Sequence, residues 1–127
     1  MKILLDTHAL LWWLDDDPRL GRRARGVIAD GTNDILVSMA SLWEVAIKHR
    51  IGKLRANVKD IAARLPIDDF VLLPIKCDHL QIAESYRDAV HNDPFDHLIL
   101  AQAAFEGARL MTNDAFMQHY GVATLQT

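Results

Sequence analysis

Cysteine is almost missing from this chain: Cys77 is the only one in 127 residues. No intramolecular disulfide is available, and such sparing use fits a reducing compartment. Cys77 itself reads as a small residue where a strand passes into a helix. Long hydrophobic runs are missing too. No stretch approaches the roughly 18 apolar residues of a membrane span, and no charged-then-apolar leader opens the chain, because Asp6 interrupts the first run. These features point to a soluble, cytoplasmic protein with no membrane partner. Positive charge is in short supply, with a formal net charge of −3, whereas nucleic-acid-binding domains are usually basic. A bound cation would cancel negative charge locally, so this deficit does not exclude a nuclease. Six histidines are present, but no Cys/His cluster and no paired helical spacing that would hold zinc. His8 and His97 fall near the acidic residues discussed below, and the other four read as surface residues. Internal repeats, low-complexity segments and interdomain linkers are also lacking.

Half of the residues are apolar, enough to build a core in one domain spanning residues 1–127. The runs Ile3–Leu5, Ile35–Val37, Val71–Leu73 and Leu110–Met111 are short and continuous, as buried parallel strands tend to be. Val122–Leu125 is a fifth candidate. Segments with helical spacing lie between them. Asp17-Pro18 predicts a helix start and Gly31 its end. Ser38 or Ser41 can cap the helix containing Trp43, which Gly52 can stop. Asn57 with Asp60 opens another segment, broken by Pro66. Asp78 with Gln81 has the spacing of a capping box, and Asp93-Pro94 opens a helix that Gly107 closes. Strands alternating with helices imply right-handed βαβ units. The predicted fold is a three-layer α/β/α domain around a central, mainly parallel sheet of four to five strands.

Four acids occupy informative positions. Asp6 ends the first apolar run, and Glu44 lies within the apolar helical stretch Ser41–Ile47. Asp96 stands in the first turn of the helix after Pro94, and Asp114 follows the run Arg109–Asn113. Capping gives each aspartate an ordinary explanation; Asp93 is well placed as an N-cap, and Asp96 three residues later favours the positive end of the same helix. Glu44 differs, since a carboxylate between Trp43 and Val45 is costly without a partner. No obvious basic partner stands among the acids. In an open parallel sheet, ligands bind beyond the carboxyl ends of the strands, and all four acids can face that edge. The pattern suits a Mg²⁺ or Mn²⁺ site of oxygen ligands, completed by water and a substrate phosphate. Thr7 and Thr112 flank two of the acids and could orient a carboxylate or close a local turn. Trp12, Trp13 and Trp43 could stack on bases, but their helical placement reads first as core or interface packing and only second as base stacking. The basic groups Arg19, Arg22, Arg23, Arg25 and Lys48, Arg50, Lys53, Arg55 read first as solvated helix faces and second as RNA-backbone contacts.

The segments Asp6-Thr7-His8-Ala9-Leu10-Leu11-Trp12, Ser41–Lys48, Asp93-Pro94-Phe95-Asp96 with Ala101-Gln102-Ala103, and Thr112-Asn113-Asp114 together resemble the PIN-domain family. The likeness is closest to the VapC-like ribonuclease toxins of bacterial type II toxin–antitoxin systems, and it runs from Lys2 to the last predicted strand. The resemblance implies a Mg²⁺-dependent endoribonuclease that acts on RNA and is partnered by a cognate antitoxin protein. It also implies Asp6, Glu44, Asp96 and Asp114 as metal-binding and catalytic acids. Thr7, Asp93, His97 and Thr112 are candidates for support. Exposed Trp and Leu residues on the early helices, together with the resemblance, suggest a homodimer. The family's acidic motif often reads His-Arg-Asp-Pro-Phe-Asp-Arg, whereas here Asn92 and His97 stand in place of the two arginines. That implies a weaker or pH-dependent phosphate contact at His97.

Two other function classes fit less well. A phosphoacceptor receiver domain needs adjacent acids after its first strand and a lysine after a late one; Asp6-Thr7 and Thr112-Asn113 supply neither. A phosphatase with two aspartates flanking one residue fails because His8 occupies the second position. A non-catalytic PIN-like scaffold that binds RNA or a protein partner is the remaining alternative.

Overall fold

Ile3, Leu4 and Leu5 are inaccessible to solvent, because their strand, β1 (Lys2–Leu5), has neighbours on both edges and helices on both faces. The computed structural model describes residues 1–86 and 93–127, apart from the side chains of Phe116 and His119. β1 pairs in parallel with β2 (Asp34–Ser38) on one side and β4 (Arg109–Met111) on the other. β2 pairs onward with β3 (Val71–Leu73), and β4 with β5 (Thr124–Leu125). The order is β3-β2-β1-β4-β5, every pairing parallel. The predicted fifth strand exists, but narrower than Val122–Leu125.

Among the described residues, six helices connect these strands: α1 (Thr7–Leu14), α2 (Arg22–Ala29), α3 (Met39–Arg50), α4 (Val58–Arg64), α5 (Cys77–Glu84) and α6 (Pro94–Glu106). A 3₁₀ segment, Ala115–Tyr120, precedes β5. Alternate residues of a strand point to opposite faces, and the core divides accordingly. Ile3 and Leu5 pack with Leu10, Ile28, Val45 and Ile61 on one face. Leu4 packs with Leu98, Ile99, Leu100 and Met117 on the other. The result is the expected α/β/α arrangement.

Most helix starts follow the sequence signals. Asp6, Ser38, Asn57 and Asp93 each accept a hydrogen bond from a backbone N–H of the first turn, which supplies partners the helix itself cannot. Gly107 ends α6 at φ 65°, a conformation glycine adopts without a Cβ penalty. Two predicted starts are corrected. Asp17-Pro18 does not open α2, which begins at Arg22 after Gly21; the Asp17 carboxylate instead turns back to the N–H and guanidinium of Arg19, a local hydrogen bond that competes with helix. Likewise α5 begins at Cys77, not after Asp78, and the residue reaching back is His79 rather than Gln81.

His79 is a further correction, because it has no exposure at all where a surface residue was expected. Its Nδ1 accepts a hydrogen bond from the Lys76 N–H at 3.0 Å, and its Nε2 lies 3.0 Å from the Glu106 carboxylate. A ring nitrogen that accepts from an N–H is unprotonated, so the proton sits on Nε2 and is donated to Glu106. Phe105 packs edge-on to the ring at 5.4 Å. Two helices are thereby joined through a satisfied polar pair, α5 by its first turn and α6 by its last.

The His79 hydrogen bond, helped by the charge of Lys76, holds the Glu106 carboxyl below its ordinary 4.5. A carboxyl lowered in the folded state adds stability above its unfolded value and loses it as pH falls through its folded value. Wild type should therefore exceed Glu106→Gln in stability at neutral pH, with the difference shrinking below about pH 4.5. Chemical denaturation across that range checks this, and a constant difference would contradict the pairing.

Candidate active site at the carboxyl edge of the sheet

The strand order reverses direction at β1: the chain runs outward through β2 and β3 on one side, then returns to β4 and β5 on the other. Beyond the carboxyl ends of β1 and β4 the connecting segments diverge and leave a crevice, the usual ligand position in such sheets. Asp6 follows β1 directly, and Thr112 follows β4 directly. The Asp6 N–H donates to the Met111 carbonyl at 3.1 Å, so backbone pairing fixes the two loops against each other.

Asp6 is 5% exposed. Its Oδ1 accepts from the Ala9 N–H at 2.7 Å, capping α1, and its carboxylate accepts a hydrogen bond from Thr112. Burial nevertheless pushes its pKa above 3.8; the Ala9 and Thr112 hydrogen bonds and nearby His8 oppose this, and the negative charge of Glu44 adds to it. Glu44 is also 5% exposed. Thr7, next to Asp6, donates its hydroxyl proton within this group: Glu44 Oε1 lies 2.7 Å from Thr7 Oγ1 and Ser41 Oγ lies 3.0 Å away. On the other carboxylate oxygen, Lys48 Nζ lies 2.6 Å from Oε2. The expectation of acids without a basic partner is thus corrected for Glu44. Four residues is about one helical turn, so positions 44 and 48 stack on the same face. That spacing was the signal by which sequence could have found Lys48.

Thr7 and Thr112 therefore do orient carboxylates. Thr112 does so while closing a turn, since its Oγ1 accepts from the Asp114 N–H at 3.0 Å. Asp114 heads the 3₁₀ segment through its carbonyl, which accepts from the Met117 N–H at 3.2 Å. Asp93 is the N-cap of α6, with Oδ1 accepting from Phe95 at 2.9 Å and from Asp96 at 3.4 Å. Asp96 and Asp114 are half-buried at the same edge of the sheet, one at a helix start and one past a strand end. The structure sets two hydrogen-bonded pairs side by side, Thr112 on Asp6 and Thr7 on Glu44, with Asp114 tied to Thr112 by its backbone. Among the described residues, no three His, Cys, Asp or Glu side chains already form a metal-binding group. His97 lies in an aromatic cluster, its ring 6.0 Å from Tyr86 and 5.7 Å from Tyr120, with the Tyr120 hydroxyl 3.4 Å from Nε2. Asn92, the other departure from the acidic motif, lies outside the described residues.

Below the sheet edge, a buried link was not anticipated. Ser38 caps α3 and donates its hydroxyl proton to Gln102 Oε1 on α6, and the Gln102 amide donates to the Pro74 carbonyl at 3.4 Å. Ser38 and Gln102 have no exposure. They tie the start of α3 to the third turn of α6.

The family model for the PIN domain matches residues 3–122. The chain belongs to the PIN-domain family. Among individual relatives, it is 49% identical over 41 residues to ribonuclease VapC16 of Mycobacterium tuberculosis, a stretch covering 29% of each chain. The fold is similar to that in the crystal structure of VapBC2 from Rickettsia felis bound to a promoter DNA fragment. That likeness has a TM-score of 0.74 at 17% identity and covers 99% of this chain and 98% of that one. It is also similar to Mycobacterium tuberculosis VapC20, described as a Sarcin-Ricin loop cleaving toxin. There the TM-score is 0.72 at 18% identity, covering 98% and 99% of the two chains. Within the PIN-domain frame, Asp6, Glu44, Asp96 and Asp114 are the acids that the sequence motifs single out.

The donor chemistry suits a hard divalent cation: the side chains offered are carboxylates and hydroxyls, and one carboxylate is buried against its preference. A carboxyl raised in the folded state binds its proton more tightly there, so its ionisation subtracts stability above its folded pKa and nothing below its unfolded one. In metal-free buffer at pH 7, Asp6→Asn should therefore melt at a higher temperature than wild type, since asparagine also caps α1. That gain should vanish below about pH 3.8, the unfolded value. A variant that melts lower at pH 7 would show that the buried charge is compensated.

Proposed function

We propose that this PIN-domain chain is a Mg²⁺- or Mn²⁺-dependent endoribonuclease, acting as a single domain in the cytoplasm as the toxin of a toxin–antitoxin pair. The observation that carries the proposal is the buried Asp6 carboxylate beside Glu44 at the crevice between β1 and β4. The name of VapC16 as a ribonuclease and the description of VapC20 as a Sarcin-Ricin loop cleaving toxin support the substrate class, and the fold likeness to a toxin–antitoxin complex from Klebsiella pneumoniae supports a cognate antitoxin partner.

In this reading Asp6, Asp96 and Asp114 would hold the cation, with Glu44 as a direct or water-mediated ligand. The cation supplies a water that ionises near neutral pH and can attack a phosphodiester. The chain's own residues supply position. Thr112 holds the Asp6 carboxylate, while Thr7 and Lys48 hold that of Glu44. Asp93 is left to cap α6, so Asp93→Asn should retain activity.

RNA cleavage measured with and without EDTA tests the proposal. Cutting should require the divalent ion, leave 5′-phosphate and 3′-hydroxyl ends, and fall at least about a hundredfold in Asp6→Asn and Asp96→Asn. Products with 2′,3′-cyclic phosphate, formed equally well in EDTA, would sink it. A second reading, a PIN module that binds without cutting, is favoured by one observation: both Glu44 oxygens already have partners, Thr7 and Lys48. Metal-independent RNA binding with no cleavage under any ion would select it.

The proposed homodimer would use a different surface from the one expected. Leu10 is fully buried, and Leu11, Trp12, Trp13 and Leu14 pack against the core. Trp13 also donates its Nε1 proton to Asp68 at 3.1 Å. One exposed apolar face lies on α3, where Trp43 is 56% exposed beside Met39 and meets Phe95 edge-on at 5.1 Å. Pairing of this patch with its own copy about a two-fold axis would cover it on both protomers. Light scattering should give a dimer for wild type and a monomer for Trp43→Glu; a wild-type monomer at high micromolar concentration would contradict it.

A further inference from the structure

Beside the acidic group, with Thr7 and Lys48 in its wall, lies a cleft of about 370 Å³ between α1 and the end of α3. Its wall includes Thr7, His8, Trp12, Arg19, Lys48 and Lys53. A volume of that size falls in the range of small-ligand sites. Three features make its chemistry specific. His8 and Trp12 are four residues apart on α1, so their rings stack, with centroids 5.7 Å apart and planes within 20°. The Arg19 guanidinium carbon lies 5.2 Å from the Trp12 ring centroid, and Asp17 anchors that guanidinium at 2.7 Å. Lys48 is pinned by Glu44, whereas the side chain of Lys53 makes no hydrogen bond or ion pair among the described residues.

We infer that this cleft is the subsite for a nucleotide of a single-stranded RNA adjoining the scissile phosphate. Its base would extend the His8–Trp12 stack, and its backbone phosphate would meet Lys53. A nucleobase presents a flat π-face that stacks on an aromatic ring whatever its sequence. Cations gathered at one end of a net-acidic chain give the backbone a landing point close to the acids. Asp15 also lines the wall, which limits the cleft to one or two phosphates rather than a long tract. Double-stranded RNA keeps its bases stacked on one another and cannot offer a free face here. The inference rests on the ribonuclease reading and deepens it by naming how the substrate is held.

Binding of a short fluorescein-labelled single-stranded RNA, followed by anisotropy in EDTA, separates this subsite from the cutting chemistry. Trp12→Ala should weaken binding roughly tenfold, and Trp12→Phe should recover most of that loss because it keeps a stacking face. Lys53→Gln lies on the surface and leaves folding intact. It should lower the slope of log affinity against log salt by about 0.7, the signature of one lost phosphate contact on a single strand. The same RNA as a duplex should bind wild type more weakly and respond to neither Trp12 variant. If Trp12→Ala and Lys53→Gln bind the single strand as wild type does, while wild type cuts RNA with Mg²⁺, the subsite is wrong and the ribonuclease reading stands. That outcome is also expected if a protein segment occupies the cleft instead. A wild-type chain that neither binds nor cuts RNA overturns both.

Discussion

A carboxylate that the fold needs buried is the constraint on which the rest of this structure depends. Asp6 must leave water because it follows a strand with neighbours on both sides and caps the helix that covers it. Burial opposes its charge, and the surroundings answer with hydrogen bonds rather than a paired cation. Ala9 contributes a backbone N–H and Thr112 a hydroxyl. Glu44 stands near enough to make the problem worse, and its own charge is balanced by Lys48. Desolvated like charges are expensive to hold together. Such a centre would be stabilised by a bound cation, the role proposed above for Mg²⁺ or Mn²⁺, since a ligand that binds the folded state alone stabilises it.

The parts that hold this centre are stiff. β1 sits between four other strands, both of its faces are covered, and the Asp6 N–H is itself bonded to Met111. Behind the crevice, the Ser38–Gln102 pair ties α3 to α6 through groups with no exposure. Among the described residues, no buried side-chain nitrogen or oxygen lacks a partner. A fully satisfied buried network fixes one arrangement of the elements, because any shift strands a polar group away from water. The acids at the crevice inherit that precision from buried groups that lie outside the crevice.

Much of this was legible in the chain. Short apolar runs located the strands, since a strand buried on both faces cannot alternate polar and apolar residues. Asp6, Asn57 and Asp93 announced helix starts because capping depends on a side chain and the next three residues alone. Asp17 misled for the same local reason: its carboxylate turned to Arg19 instead of a helix end, and nothing in the spacing distinguishes the two. His79 misled more deeply. Its burial depends on Glu106, which lies 27 positions away, and a polar residue's long-range partner leaves no local trace.

Alone, then, the sequence determined that strands alternate with helices, that carboxylates gather at strand ends and helix starts, and that the chain resembles the PIN domain. Each depends on residue type and short spacing, which survive in one dimension. Only the tertiary structure decided that every strand pairing is parallel around β1, that Thr7 and Thr112 brace the acids, and that the early tryptophans lie against the core while Trp43 faces outward. It alone brought the His8–Trp12 stack beside Lys53. These facts depend on which residues meet across the fold, and contact between distant positions is set by packing two faces of one sheet at once.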